Sequence, residues 1–159
     1  MTSEDQHSAA VASWTQDSPV PVQAGEQRLT LTLESLAGLV QVRRQVRAFL
    51  VSGLDDGTGA AGQDAVGDAV MVIDELTSNA LRHGSPPSRL LIRDEQAAWT
   101  VVVVDGAPGR LPTPATGRVE GEGGYGLYMV SDLTESHGVH YEADRKLVWA
   151  RLAKPAGGS

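Results

Sequence analysis

The chain has no cysteine, which excludes disulfides and thiolate metal sites and fits a reducing compartment. No apolar run approaches the ~18 residues of a membrane-spanning helix, and the first residues lack the apolar core of a signal peptide. Positive charge is in short supply. Thirteen Lys plus Arg stand against twenty Asp plus Glu, a formal net charge of −7, so the broad basic footprint of a nucleic-acid binder is missing. Lysine itself is scarce: Lys146 and Lys154 stand alone among arginines. Neither follows a glycine loop as a kinase strand lysine would. No G-x-x-x-x-G-K-[ST], no H-E-x-x-H and no internal repeat occurs. The chain reads as a single globular domain, expected in the cytoplasm, and its 159 residues can bury a substantial core without staples.

Residues 1–27 are polar and rich in Ser, Gln and Ala, with Pro19 and Pro21, and read as a mobile tail. Residues 154–159, "KPAGGS", read as another, which leaves 28–153 as the folded domain. "RLTLTLE" alternates Leu29, Leu31 and Leu33 with polar residues, a half-buried strand. Val42, Val46, Phe49 and Leu50 repeat at helical spacing, so Val40 to Leu50 is expected as an amphipathic helix. "SGLDDGTGAAGQD" breaks it, and a second helix is expected from Gln63 to His83. "SRLLIRD" and "AWTVVVVDG" read as strands, "APGRLPTPATGRVEGEGG" as an irregular loop, and Tyr125 to about Ser136 as a third helix. "GVHYEA" and "KLVWARL" read as a closing hairpin turned at Asp144 and Arg145. The order β-α-α-β-β-α-β-β predicts an α+β fold, a two-layer sandwich with helices on one face of a mixed, mostly antiparallel sheet.

Three segments hold candidate chemistry. In "IDELTSNALRHG" the apolar stripe runs through Val66, Ala69, Val70, Ile73, Thr77 and Ala80, and Glu75 and Asn79 lie off it. Four apart, they are neighbours at ~5–6 Å between Cβ atoms. Such a pair can be an ordinary solvated face. It can equally act together, the carboxylate on a hydroxyl proton and the amide oxygen on a hard cation such as Mg²⁺. "TVVVVDGAPG" ends a strand on Asp105, whose carboxylate can accept from an exocyclic amine; Asp-Gly also reads as a plain turn. In "GEGGYGLYMV", Gly121, Gly123 and Gly126 satisfy G-x-G-x-x-G, but no strand precedes them as a dinucleotide fold requires. Either a glycine-rich surface loop caps a helix here, or a lid ends in Gly124-Tyr125-Gly126 before a helix whose free N–H groups face phosphate. His83 at a helix end reads as structural, Arg82 as solvent-facing, and Trp99 and Trp149 as packing residues.

In this order, "DELTSNALRHG", "VVVVDGAPG" and "EGGYGLYMV" resemble the ATP-binding domain of the GHKL superfamily of gyrases, histidine kinases and mismatch-repair ATPases. The chain looks most like its small bacterial anti-sigma factor and serine kinase branch. The resemblance runs from about Leu29 to Leu152. It implies Glu75 as general base and Asn79 as the Mg²⁺ ligand. Asp105 would be the reader of the adenine amine, and Gly109 would shape the base pocket. Gly124, Gly126 and the Leu127 amide would line the triphosphate. It further implies transfer of the ATP γ-phosphate to a serine of an anti-anti-sigma partner, binding of a sigma factor, and a possible homodimer. The family's adenine loop is commonly D-x-G-x-G, and here the third position is Ala107. Two alternatives stand beside the kinase: a binding module that uses ATP for shape or has lost it, and a histidine kinase fragment. The latter would need a helical hairpin that Met1–Gln27 is too short and polar to form.

Overall fold

The computed structural model of the chain describes residues 14, 16–21, 27–107 and 126–157. In β1 (Gln27–Leu33), Leu29, Leu31 and Leu33 share one face because side chains alternate along a strand. β2 (Ser88–Asp94) and β3 (Ala98–Asp105) follow, then β4 (Ser136–Tyr141) and β5 (Lys146–Ala153). The sheet order is β1-β2-β3-β5-β4, and every neighbouring pair is antiparallel. Among the described residues the parallel component is a single bridge, Asp17 to Val139. β3 is central and buried along its whole length, which accounts for its unbroken valine run. Val101 and Val103 face one side, Val102 and Val104 the other.

The helices cover one face only. α1 (Leu39–Ser52) buries Leu39, Val46 and Leu50, and ends where the Gly53 N–H donates to Leu50 O at 3.1 Å. α2 (Gly59–His83) buries a stripe through Val66, Ala69, Val70, Ile73, Leu76, Thr77 and Ala80. It starts four residues before the expected Gln63. The glycines that suggested a break fit inside the first turns: a Cβ on Gly62 would lie 2.2 Å from Thr58 Oγ1, so its absence is what lets Thr58 sit there. α3 (Gly126–Leu133) anchors through Leu127 and Val130, both fully buried. It stops short of the expected Ser136 because the chain is drawn into the sheet, the Glu135 N–H donating to Arg151 O at 2.8 Å. The architecture is the expected α+β sandwich, among the described residues three helices on an open five-stranded sheet.

Part of the segment expected as a mobile tail is packed. Trp14 is fully buried in the helix-side core and stacks on His137, ring centroids 4.5 Å apart. The chain then turns around the β4 edge: the Ser18 N–H donates to Val139 O at 2.7 Å, and Asp17 accepts from the Tyr141 N–H at 2.9 Å. On the far face Ser18 O accepts from Trp149 Nε1 at 2.9 Å, and Val20 packs on the cluster of Val102, Val104 and Trp149. Gly138 makes room for this crossing, since a Cβ there would lie 2.8 Å from that of Ser18 and 2.9 Å from the Trp149 ring. The strap therefore covers apolar surface on the face that has no helices. Sequence reading missed it because one tryptophan and one valine carry the contact, with no periodicity to mark them.

Trp14→Ala should cost about 3–5 kcal/mol, the usual range for a buried tryptophan, read as a lower urea midpoint. Burial also holds the His137 imidazole below its ordinary value, so the folded chain favours the neutral ring. The unfolded chain takes up the proton first. This stability is thus complete above about pH 6.5 and is lost as pH falls. His137→Phe, which keeps a ring against Trp14, should flatten the loss of stability between pH 6.5 and 5; an unaltered slope would contradict it.

Candidate functional site

Two missing side chains bring the end of α2 against the end of β3. A Cβ on Gly84 would lie 2.6 Å from both Ala80 O and Asp105 Cγ. Its backbone is extended, with φ −88° and ψ −168°, so close approach and not a left-handed turn requires glycine. A Cβ on Gly106 would lie 2.8 Å from Pro86 O, and its N–H donates to Ser85 O at 2.7 Å. The loop after β3 is thereby pinned to the loop after α2.

Asp105 is 1% exposed. Its Oδ1 accepts from the Ala107 N–H at 2.8 Å, and its Oδ2 lies 3.4 Å from Lys146 Nζ. Ala107, where the resembled loop commonly has glycine, is buried. No non-glycine residue described has positive φ, so this position makes no conformational demand for glycine.

Along α2 the candidate residues form a row. At about 1.5 Å per residue, Asn79 lies roughly 7 Å and Glu75 roughly 13 Å back along the axis from Gly84. Both side chains are half-buried. The two adjacent carboxylates differ. Asp74 is held by Arg43 of α1, with Nε to Oδ2 at 3.0 Å, while neither Glu75 nor Asn79 makes a side-chain hydrogen bond or ion pair among the described residues. The Ser78 hydroxyl turns back to Glu75 O at 3.2 Å and so does not engage the Glu75 carboxylate.

Glu75 forms part of the wall of an open groove of about 480 Å³ between the helices, shared with Leu39, Arg43, Ser78 and Met129. Its rim is apolar and wet: Leu36, Val40 and Met71 are 46%, 56% and 48% exposed. Arg82 also lines it and has no partner among the described residues. Met129 lies in the first described turn of α3, so the Gly126 and Leu127 amides belong to the same region as Glu75. The Leu127 side chain is fully buried, so its amide, not its side chain, is what it can offer a ligand. Gly109 and Gly124 lie outside the described residues.

Sequence reading passed over Lys146, because nothing in spacing links it to Asp105; the link is strand register, in which the two are direct partners. Trp99 and Trp149 are packing residues as expected, on opposite sheet faces.

Residues 33–152 match the model of the histidine kinase-like ATPase domain family, and the chain belongs to that family. Among solved structures, it is similar to the RsbU and RsbW domains of Rv1364c from Mycobacterium tuberculosis, at 20% identity and a TM-score of 0.57. That match covers 86% of this chain and 36% of the other, so the chain spans about a third of that protein's length. The Acinetobacter baumannii histidine kinase AdeS matches at 14% identity over 76% of this chain and 79% of the other, with a TM-score of 0.42. No match occurs among the curated proteins. Fold and family thus agree on a histidine kinase-like ATPase domain, a class for which ATP is the implied ligand. No helix among the described residues is long and apolar enough to cross a membrane.

One chemical change tests the steric origin of the site at two positions. Gly84→Ala should lower stability by about 1–3 kcal/mol, the range for overpacking, because Ala80 O and Asp105 have nowhere to move. Gly67→Ala, also in α2 but with nothing within 4 Å of the added carbon, should raise it by roughly 0.5–1 kcal/mol through helix propensity. Denaturant unfolding of both variants should give shifts of opposite sign.

Proposed function

We propose that the chain is an ATP-dependent protein serine kinase of the anti-sigma type, acting in the cytoplasm on a serine of an anti-anti-sigma partner. The observation that carries this reading is the unpaired Glu75 carboxylate in the wall of a groove open to a macromolecule. A domain that only bound nucleotide would have no use for a free base facing an apolar-rimmed surface. The described groups suit ATP: a buried acceptor at Asp105, a carboxamide at Asn79, and amides in the first described turn of α3 at Gly126 and Leu127. Gly109 and Gly124 complete the proposed nucleotide contacts.

Bound Mg²⁺-ATP supplies the phosphoryl group to be transferred. The chain's own part is positional and electrostatic. Asp105 accepts from the base amine. Asn79 offers a neutral oxygen to the cation, which suits Mg²⁺ because this ion binds protein through few ligands and keeps phosphate and water. No carboxylate or histidine cluster that could hold a metal alone occurs among the described residues. The α3 amides would hold the phosphate oxygens. Glu75 orients the acceptor hydroxyl and takes its proton. Arg43, by engaging Asp74, neutralises the neighbouring carboxylate and would leave Glu75 as the one unpaired carboxylate near bound phosphates instead of two. The same face, with a second copy of the chain, would hold a sigma factor.

A second reading, a binding module with weak or no use of nucleotide, is favoured by the Asp105–Lys146 pair. Mg²⁺-ATP titration followed by transfer to an anti-anti-sigma acceptor separates the two. Glu75→Gln should bind ATP as the wild type does and transfer at least a hundredfold more slowly, in line with about 10²–10⁴ for a general base. Asn79→Ala should weaken Mg²⁺-dependent binding by about tenfold, the cost of one contact to a charge. Equal transfer by Glu75→Gln and wild type would remove the kinase reading; binding without any transfer by the wild type would leave the module.

A further inference from the structure

The carboxylate proposed to read the base is already in an ion pair. Lys146 is the direct register partner of Asp105 across β3 and β5, and the two are 4% and 1% exposed. The ammonium lies 3.4 Å from Oδ2 while the Ala107 N–H occupies Oδ1. Gly84 closes on the same carboxylate from α2.

We infer that Lys146 is a specificity-determining residue of the nucleotide site, converting an acceptor-only floor into a paired acceptor and donor that no longer selects adenine over guanine. This rests on the nucleotide reading above. A lone buried carboxylate accepts hydrogen bonds and cannot donate. It therefore welcomes the adenine amine and repels the guanine carbonyl at the same place. With an ammonium beside it the floor can serve either edge. Adenine offers its amine to Asp105 and a ring nitrogen to Lys146; guanine offers a ring N–H to Asp105 and its carbonyl to Lys146. The ammonium also competes with the adenine amine for Oδ2, since a charged donor is the stronger partner.

The test is the dissociation constants of Mg²⁺-ATP and Mg²⁺-GTP for the full chain and for Lys146→Thr, by calorimetry. Threonine suits a strand and its hydroxyl can still bond to Asp105, but it carries no charge. The wild type should bind the two nucleotides within about threefold of each other, and Lys146→Thr should prefer ATP by at least about tenfold, as expected for one unmatched buried polar group. A wild type that already prefers ATP by tenfold or more overturns the inference without any variant, which matters because loss of one partner of a buried pair can unfold a domain. An unchanged ratio in a folded Lys146→Thr overturns it as well. If the wild type and the variant bind neither nucleotide, the nucleotide reading itself fails and takes this inference with it.

Discussion

The contact between the end of α2 and the end of β3 is the constraint from which the site follows. Side chains at 84 and 106 would separate these two elements, by meeting Asp105 in one case and Pro86 in the other. Without that approach, Asp105 would not lie against the end of the helix that carries Asn79 and Glu75. Glycine at each position serves proximity, since neither backbone is left-handed. A helix of 25 residues then acts as a ruler. Its end is fixed at Asp105, its apolar stripe fixes the rotation, and Glu75 and Asn79 are carried to set distances by helical geometry alone.

Charge is distributed along this ruler in a way that separates tasks. At one end Asp105 is buried and neutralised by Lys146. In the middle Asp74 is neutralised by Arg43 from α1. Glu75 alone keeps an unengaged carboxylate among the described residues of this helix's groove, and it keeps it next to exposed apolar side chains. A buried pair is expensive to desolvate and seldom adds net stability. The Asp105–Lys146 pair is therefore better understood as a feature of the proposed site's chemistry than as a fastening of the sheet, which β3 already secures through its valines on both faces.

Much of this was legible in the sequence because the signals were local. Alternation in "RLTLTLE" and the valine run before Asp105 identified strands, and the stripe from Val66 to Ala80 identified α2 together with the side from which Glu75 and Asn79 project. The order of three motifs, more than any one of them, pointed to the ATPase fold. What stayed hidden was non-local. Lys146 meets Asp105 only through strand register forty-one positions away (146 − 105). The strap from Trp14 to Pro21 depends on single residues reaching a sheet edge and an uncovered face, without a period to announce it. The early start of α2 was masked by Gly59, which takes a positive φ, and Gly62, which admits Thr58, and glycine in isolation reads as a break.

The strap also bears on how the sheet can be used. With α1, α2 and α3 on one face, the other face would present Val102, Val104, Leu91, Leu147 and Trp149 to water, and one edge would present the free backbone of β4. Unpaired strand edges and contiguous apolar patches invite association. Ser18 and Asp17 take up bonding groups on that edge, and Val20 lies on that patch. An exposed apolar rim remains on the helical side, around Glu75. The N-terminal strap and the groove are linked in this sense: the strap closes one face of the sheet to association, and under the proposed kinase reading recognition would fall on the helical face, where Glu75 lies.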